Sequence, residues 1–366
     1  MRILYVITDL EIGGVPLHLY WLARHMSDEG FEVHVTCLSP PGPVTRMLAE
    51  AGIPTSACHA GGAWDWRAID RLNRITADLA PDIVHSFLFH ANIACRFVAL
   101  LGALATDRLI CELQTVEVER SWHLTMERLT HRWCRYVVAN SPSVVDHLAQ
   151  RARIASDRLV LVQGGIDPTP IRESAPAKRS SLGVNESDPV LLWTGRLDPV
   201  KRLDDLISAA TVVNRSIPIQ VLLAGEGPDR PRLERRVGQS GIADRVHLLG
   251  QRTDVPRLLK TADLFVFPSL TEGMPNALLE AMAAALPIVA TDAPGNRDLI
   301  THNENGLLVP IGDCEKLAGA IANLLRDRTL RQRLGACAAR AIDRQFHIAR
   351  TYGRYRSLYA RLAPLR

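Results

Sequence analysis

Twelve short runs rich in Val, Ile and Leu recur along this chain, and helix-patterned stretches separate most of them. RILYVIT, EVHVTCL, DIVHSF, RLICEL, YVVAN and RLVLVQG lie in the first half; VLLWTG, IQVLLAG, VHLLG, LFVFPS, PIVATD and GLLVP follow in the second. This alternation predicts parallel sheets wrapped by helices, since a parallel pair needs a crossover and a helix usually supplies it. Two sets of six strands predict two Rossmann-like α/β domains. A length of 366 residues suits two domains, and a hydrophobic share of 47% can fill two cores. The stretch 164–189, GGIDPTPIRESAPAKRSSLGVNESDP, is rich in Gly, Pro and Ser and reads as the boundary. Ligands of such sheets bind outside the carboxyl ends of the strands, so the residues just after strands are where chemistry is expected.

The richest such place is PSLTEGMPNALLEAMAAALPIVATD, residues 268–292. Gly273 and Pro275 break the chain after Thr271. From Asn276 the run NALLEAMAAA holds strong helix formers and no β-branched residue. Asn276 is expected to be the N-cap, its side chain accepting from the free N–H groups of the first turn. Those N–H groups and the positive end of the helix dipole make an anion site suited to phosphate. Glu272 and Glu280 would repel a phosphate but suit the vicinal hydroxyls of a ribose or hexose. The segment reads as one place that takes phosphate on backbone and sugar hydroxyls on two carboxylates.

LLWTGRLDPVKRLDDLI (191–207) supplies cations. It begins as a buried strand, turns at Gly195 and continues as an amphipathic helix, with Arg196 and Lys201 at the turn. Of the 43 basic residues only Lys178, Lys201, Lys260 and Lys316 are lysines, so a Lys at the mouth of a strand–turn–helix stands out. Lys is a compact point charge and Arg a planar fork that grips two phosphate oxygens. The plainer reading is a solvated helix start, with Lys201 or Arg202 paired to Asp204 or Asp205. Beside the Glu pair it is the weaker one.

Competing chemistries lack their motifs. AGEGPDR (224–230) only approaches GxGxxG and reads as a structural loop. No GxxxxGK[ST], DxD or HExxH occurs, which excludes a P-loop ATPase and leaves no metal site expected. Arg196, Lys201 and a helix N-terminus are expected to neutralise phosphate charge instead. Residues 1–168 hold 15 Arg and 18 acids, a net of −3, while the rest of the chain nets +7. A phosphate-bearing ligand should prefer the second half; with no long basic tract, nucleic acid is not an expected partner. The seven cysteines show no CxxC or CxxH spacing and read as buried thiols in a reducing compartment. MRILYVITDL is too short for a signal h-region, and no apolar run reaches the ~20 residues of a membrane span, so a cytoplasmic location is expected.

Glu272 and Glu280 in TEGMPNALLE, GRLDPVK upstream and NGLLVPIGD (305–313) downstream resemble the family 4 retaining glycosyltransferases of the GT-B fold. MRILYVITDLEIGGVPLHLYWLARHM is similar to that family's first strand, glycine loop and first helix. VVANSPSVVDHL (137–148) and DLFVFPS (263–269) also fit, so the resemblance covers nearly the whole chain. It implies an α/β protein of two Rossmann-like parallel-sheet domains facing a central cleft. Residues 1–168 would form the acceptor side, 169–345 the donor side, and 346–366 a C-terminal helix returning to the N-terminal domain. It implies that Arg196 and Lys201 bind the donor diphosphate, Glu280 the ribose, and that Glu272 lies near the transferred sugar. Gly273, Met274 and Asn276 would border the donor, and Gly13 and Gly14 would bring backbone close to it or to the acceptor. The implied activity is transfer of a hexosyl group, with retention, in cell-surface polysaccharide or glycolipid assembly. The donor would be a UDP-sugar or GDP-sugar, with no cofactor, and the acceptor a saccharide or lipid-linked saccharide.

The first half departs from the family at one place. Many members carry a His after a later strand; here LICELQTVEVE (109–119) puts Gln114 there, which can donate to a sugar hydroxyl but cannot act as a base. His90 is a substitute candidate for the catalytic site, with a packed core histidine as the alternative. ERSWHLTMERLTHRWCRY (119–136) carries Trp122, Trp133, Tyr136 and Arg120, Arg128, Arg132 and Arg135. It suits peripheral contact with the inner face of a membrane, or reads simply as a helix with one buried stripe. Two other functions stay open at this point: a sugar-nucleotide epimerase, and a non-catalytic sugar-nucleotide-binding protein. Transfer is expected to persist in excess EDTA, because no carboxylate cluster is set out for Mg²⁺. Complete loss restored by Mg²⁺ or Mn²⁺ would overturn that.

Overall fold

The computed structural model describes residues 1–62, 65–116 and 121–363. The chain divides into two units, one of Met1–Gln163 with Thr351–Arg366, the other of Gly164–Arg350. In the first, β1 (Arg2–Ile7), β2 (Glu32–Cys37), β3 (Thr55–Ala57), β4 (Ile83–Phe87), β5 (Leu109–Leu113), β6 (Tyr136–Ala139) and β7 (Leu159–Leu161) form one parallel sheet. In the second, β8 (Val190–Thr194), β9 (Gln220–Ala224), β10 (Val246–Gly250), β11 (Leu264–Phe267), β12 (Ile288–Thr291) and β13 (Leu307–Val309) form another. All twelve apolar runs are strands. The strand that the pattern missed is β3, whose three residues are half-buried at the sheet edge and contain no apolar run.

The strand orders are β3-β2-β1-β4-β5-β6-β7 and β10-β9-β8-β11-β12-β13. Both are doubly wound. β1 pairs with β2 on one side and β4 on the other, and β8 likewise with β9 and β11. The chain leaves β1 and β4, and β8 and β11, in opposite directions, opening a crevice at the carboxyl ends of each pair. Along β1, Ile3, Tyr5 and Ile7 enter one apolar layer and Leu4 and Val6 the other, so helices cover both faces. Among the described residues no helix is long and apolar enough to cross a membrane.

The first sheet is completed from the far end of the chain. Helix Ile348–Leu362 buries Tyr355, Leu358 and Tyr359 in the layer that holds Tyr5 and Phe87. Its anchor is Glu112, a fully buried carboxylate on β5. The Tyr355 hydroxyl lies 3.0 and 2.9 Å from the two Glu112 oxygens, His85 Nε2 is 3.1 Å from Oε2, and Gln114 Nε2 donates at 2.6 Å. Burial pushes the Glu112 carboxyl up, but the hydrogen bond and charge of His85, with His18 and Gln114, hold it below the usual carboxylate range. A carboxyl depressed in this way contributes stability above its unfolded pKa, and that stability is lost as the pH falls through the folded value. The Tyr359 hydroxyl continues the network, 2.8 Å from His85 Nδ1 and 3.2 Å from the Tyr5 hydroxyl. Tyr359→Phe removes both bonds inside a dry core and is expected to cost about 1–3 kcal/mol in denaturant unfolding. An unchanged midpoint would show that these hydroxyl bonds do not anchor the helix.

Candidate functional site

Four loops at the carboxyl edge of the second sheet build the site, and they are fastened to one another by backbone. After β8, Gly195 N–H donates to Ala224 O at 3.0 Å, Leu197 N–H to Glu226 O at 2.9 Å, and Asp229 N–H to Leu197 O at 3.1 Å. The approach is so close that a Cβ at Gly225 would lie 1.7 Å from Gly195 O, and one at Gly227 2.1 Å from Leu197 O. The AGEGPDR loop therefore braces the loop that carries Arg196, the structural role expected of it. After β11, Leu270 N–H donates to Val200 O at 2.8 Å and Glu272 N–H to Pro294 O at 3.1 Å. The Glu272 loop is thus held between the loops that follow β8 and β12.

Across the β8/β11 crevice Lys201 Nζ meets Glu272 Oε1 at 2.6 Å, with both side chains mostly buried. Lys201 therefore does not pair with its own helix; Arg202 does, through Asp205 at 2.6 and 3.2 Å. Arg196 is exposed and has no ion-pair or hydrogen-bond partner among the described residues. Glu280 is half-buried on helix Asn276–Ala283 and likewise lacks a partner among them. Burial pushes its carboxyl up to about 7. A paired carboxylate, a paired ammonium and an open guanidinium on the loops, and an unpaired carboxylate on the helix that follows, thus stand at one sheet edge. They can bind anionic oxygens and sugar hydroxyls.

One detail of the helix start is corrected. Asn276 is the first helical residue, and the N-cap is Pro275, which makes no side-chain cap. Pro275 is extended at ψ 109° and its carbonyl accepts from Leu278 and Leu279, so the ring fixes the entry one residue before the asparagine. Asn276 is exposed at the open end of the helix. Gly273 is buried, and Met274 is buried in the core, where a Cβ at Gly164 would stand 3.0 Å from its Cγ. The Met274 side chain is packing, and only its backbone can serve a ligand.

Gly13, Gly14 and His90 lie in the other unit. Gly13 is the N-cap of helix Gly14–Asp28 at φ −171°, which any residue adopts, and a Cβ there would meet only Pro16 Cδ at 3.6 Å. His90 lies in the first turn of helix Phe89–Leu100 and lines a cavity of about 240 Å³ with Thr8, Asp9, Gln114, His123 and His147. Gln114 therefore sits with His90 at the carboxyl edge of the first sheet. Because Glu112 can only accept when ionised, the Gln114 amide nitrogen must face it. Helix Ser121–Thr130 buries His123, Leu124, Glu127 and Thr130 as one stripe and exposes Trp122, Arg128 and Leu129. Arg120 lies outside the described residues. Sequence reading missed the β12 loop at Gly295 and Asn296 and the carboxylate Glu112. A PGN triplet shortly after a strand signalled the first; nothing local signalled the second.

The family model described as Glycosyl transferases group 1 matches residues 174–341, and the one described as Glycosyltransferase Family 4 matches residues 12–169. The UDP-Gal:alpha-D-GlcNAc-diphosphoundecaprenol alpha-1,3-galactosyltransferase of Escherichia coli is 25% identical over 91% of this chain and 90% of its own. The phosphatidyl-myo-inositol mannosyltransferase of Mycobacterium leprae is 28% identical, over 91% and 89%. The N-acetyl-alpha-D-glucosaminyl L-malate synthase of Bacillus anthracis is 30% identical, but the match spans 50% of this chain and 48% of that enzyme. In fold, the chain is similar to Anabaena HepE solved with UDP, at a TM-score of 0.87 and 21% identity over 99% of this chain and 100% of that one. Matched along both halves, the chain belongs to the family 4 glycosyltransferases, with two Rossmann-like units of the GT-B type.

Proposed function

We propose that this glycosyltransferase moves a hexosyl group from a nucleotide-diphosphate sugar to a hydroxyl acceptor, with retention, in polysaccharide or glycolipid assembly. The observation that carries the reading is the Lys201–Glu272 pair at 2.6 Å, with the open Arg196 guanidinium on the same loop as Lys201. An ammonium has three donors and Glu272 takes one, leaving two for diphosphate oxygens. Arg196 adds a fork. Glu280 accepts from ribose hydroxyls and Glu272 from those of the transferred sugar. In the transfer, the bond from the anomeric carbon to the phosphate oxygen breaks and the acceptor oxygen bonds on the same face. The acceptor proton passes to the leaving diphosphate, whose growing charge Arg196 and Lys201 stabilise. HepE has been solved with UDP-glucose, which makes UDP-sugars the first donors to try. A lipid-linked acceptor is in keeping with the Escherichia coli and Mycobacterium relatives and with the exposed Trp122 and Leu129.

The reading is tested by following nucleotide diphosphate release from a panel of UDP- and GDP-sugars, with and without saccharide acceptors. An epimerase would alter the sugar without release, and a binding protein would do neither; either result overturns the proposal. Arg196→Ala and Lys201→Ala are each expected to lower turnover by about 10²-fold, the scale for removing charge stabilisation from a leaving group. Near-normal turnover in both would remove the donor site from this loop.

Glu280 gives a pH test. Its ionised form is the better hydroxyl acceptor, so affinity for UDP-glucose should rise with pH through about 7. Glu280→Gln should flatten that profile and weaken binding by about 1.5–3 kcal/mol at pH 8. A carboxyl whose folded pKa is raised costs stability above that value, and the cost fades as the pH falls toward its unfolded pKa. Glu280→Gln should therefore raise the thermal midpoint of the ligand-free protein at pH 8 while weakening the ligand. Loss of both stability and affinity would mean that the carboxylate is structural.

A further inference from the structure

The loop after β12 touches the Glu272 loop at three levels. At the base, the Thr291 hydroxyl donates to Ser269 O at 2.5 Å. Asn296, fully buried, donates from Nδ2 to Thr291 O at 3.0 Å and to Thr291 Oγ1 at 3.2 Å, so it holds the residue that grips Ser269. Its Oδ1 has no hydrogen-bond partner among the described residues, so those two contacts are the hydrogen bonds of its side chain. At the rim, Pro294 O accepts the Glu272 N–H at 3.1 Å. Between them Gly295 sits at φ +79°, and a Cβ there would fall 2.7 Å from Gly273 O and 2.8 Å from both C and Cβ of Glu272. No side chain fits between these backbones unless Glu272 moves.

We propose that Gly295 and Asn296 are positioning residues for Glu272. They press its backbone toward the β8 loop and so set its carboxylate against Lys201. Nucleotide affinity draws on Arg196 and Glu280 and on Lys201, whose ammonium stays available to the diphosphate when Glu272 is displaced. Disturbing the β12 loop should then separate transfer from nucleotide binding. The turnover part of this inference rests on the proposed transferase reading; the placement of the carboxylate does not.

Three variants probe it. Gly295→Ala brings both the clash and an unfavourable φ. Gly295→Asn tolerates a positive φ but keeps the clash. Asn296→Asp keeps the volume and replaces the donor by an acceptor facing Thr291 O. The first readout needs no catalysis. The chain has four lysines, so acylation by acetic anhydride can be followed at Lys178, Lys201, Lys260 and Lys316 by peptide mass spectrometry. Freed from Glu272, the Lys201 amine should acylate severalfold faster in all three variants, with the other three unchanged. For the second readout, turnover of UDP-glucose should fall about 10²-fold while the Kd for UDP moves by less than about threefold. Lys201 labelling at the wild-type rate, a parallel rise at all four lysines, or rescue by Asn at position 295 would overturn the proposal. So would faster Lys201 labelling with undiminished turnover. If the wild-type protein neither binds UDP nor releases it from UDP-glucose, the donor assignment fails, and Lys201 labelling still decides whether the loop sets Glu272.

Discussion

A parallel sheet whose strand order reverses must send two neighbouring chains apart, and in the second unit everything chemical gathers where that happens. β8 and β11 pair side by side, yet one leads toward β9 and the other toward β12. Their loops meet by one main-chain bond, from Leu270 N–H to Val200 O at 2.8 Å. The Lys201–Glu272 contact spans the opening with side chains, and its members are 71 residues apart in the chain. The β9 and β12 loops lie against the outer sides of these two loops and hold them by main-chain bonds. The site is therefore a rigid frame with two soft groups across its mouth, suited to a ligand that replaces one set of charge contacts with another.

The unequal treatment of the two glutamates follows from the same frame. Glu272 has its counter-charge supplied by the protein. Glu280 does not, and burial disfavours its ionisation. A carboxylate kept without a partner is a local cost that a bound hydroxyl can relieve, and such costs collect at functional sites. Packing gives Glu280 nothing else to do, since its helix neighbours Leu278, Leu279 and Met282 fill the core.

What the sequence made legible was whatever depends on local pattern. The apolar runs marked every strand except β3, where Thr55, Ser56 and Ala57 pair at an edge without needing hydrophobic side chains. TEGMPNALLE marked the helix and both carboxylates, but Asn276 drew attention from Pro275, whose ring fixes the helix entry with no side-chain acceptor at all. The destination of Lys201 was not legible, because Asp204 and Asp205 stand nearer in sequence than Glu272. Nor was Glu112, which looks like a surface position within LICEL until a tyrosine 243 residues later arrives to meet it. Gly295 shows the same limit. A glycine after a strand is common, and only the second backbone beside it reveals that no Cβ has room.

The Glu112–Tyr355 contact has a consequence for how the chain comes into being. During synthesis the seven strands of the first unit emerge before any of the second, yet part of one face of their sheet is covered by Tyr355, Leu358 and Tyr359, beside Leu19, Leu22 and Met26 of an early helix. Until those residues leave the ribosome, a carboxylate and a histidine wait beneath an uncovered apolar surface. The second unit, Gly164–Arg350, is continuous and can settle while the first is still unfinished. The half of the molecule made first is thus the last to be completed, and the patch of its core that the final helix covers is the surface that a nascent chain of this protein must keep from wrong partners.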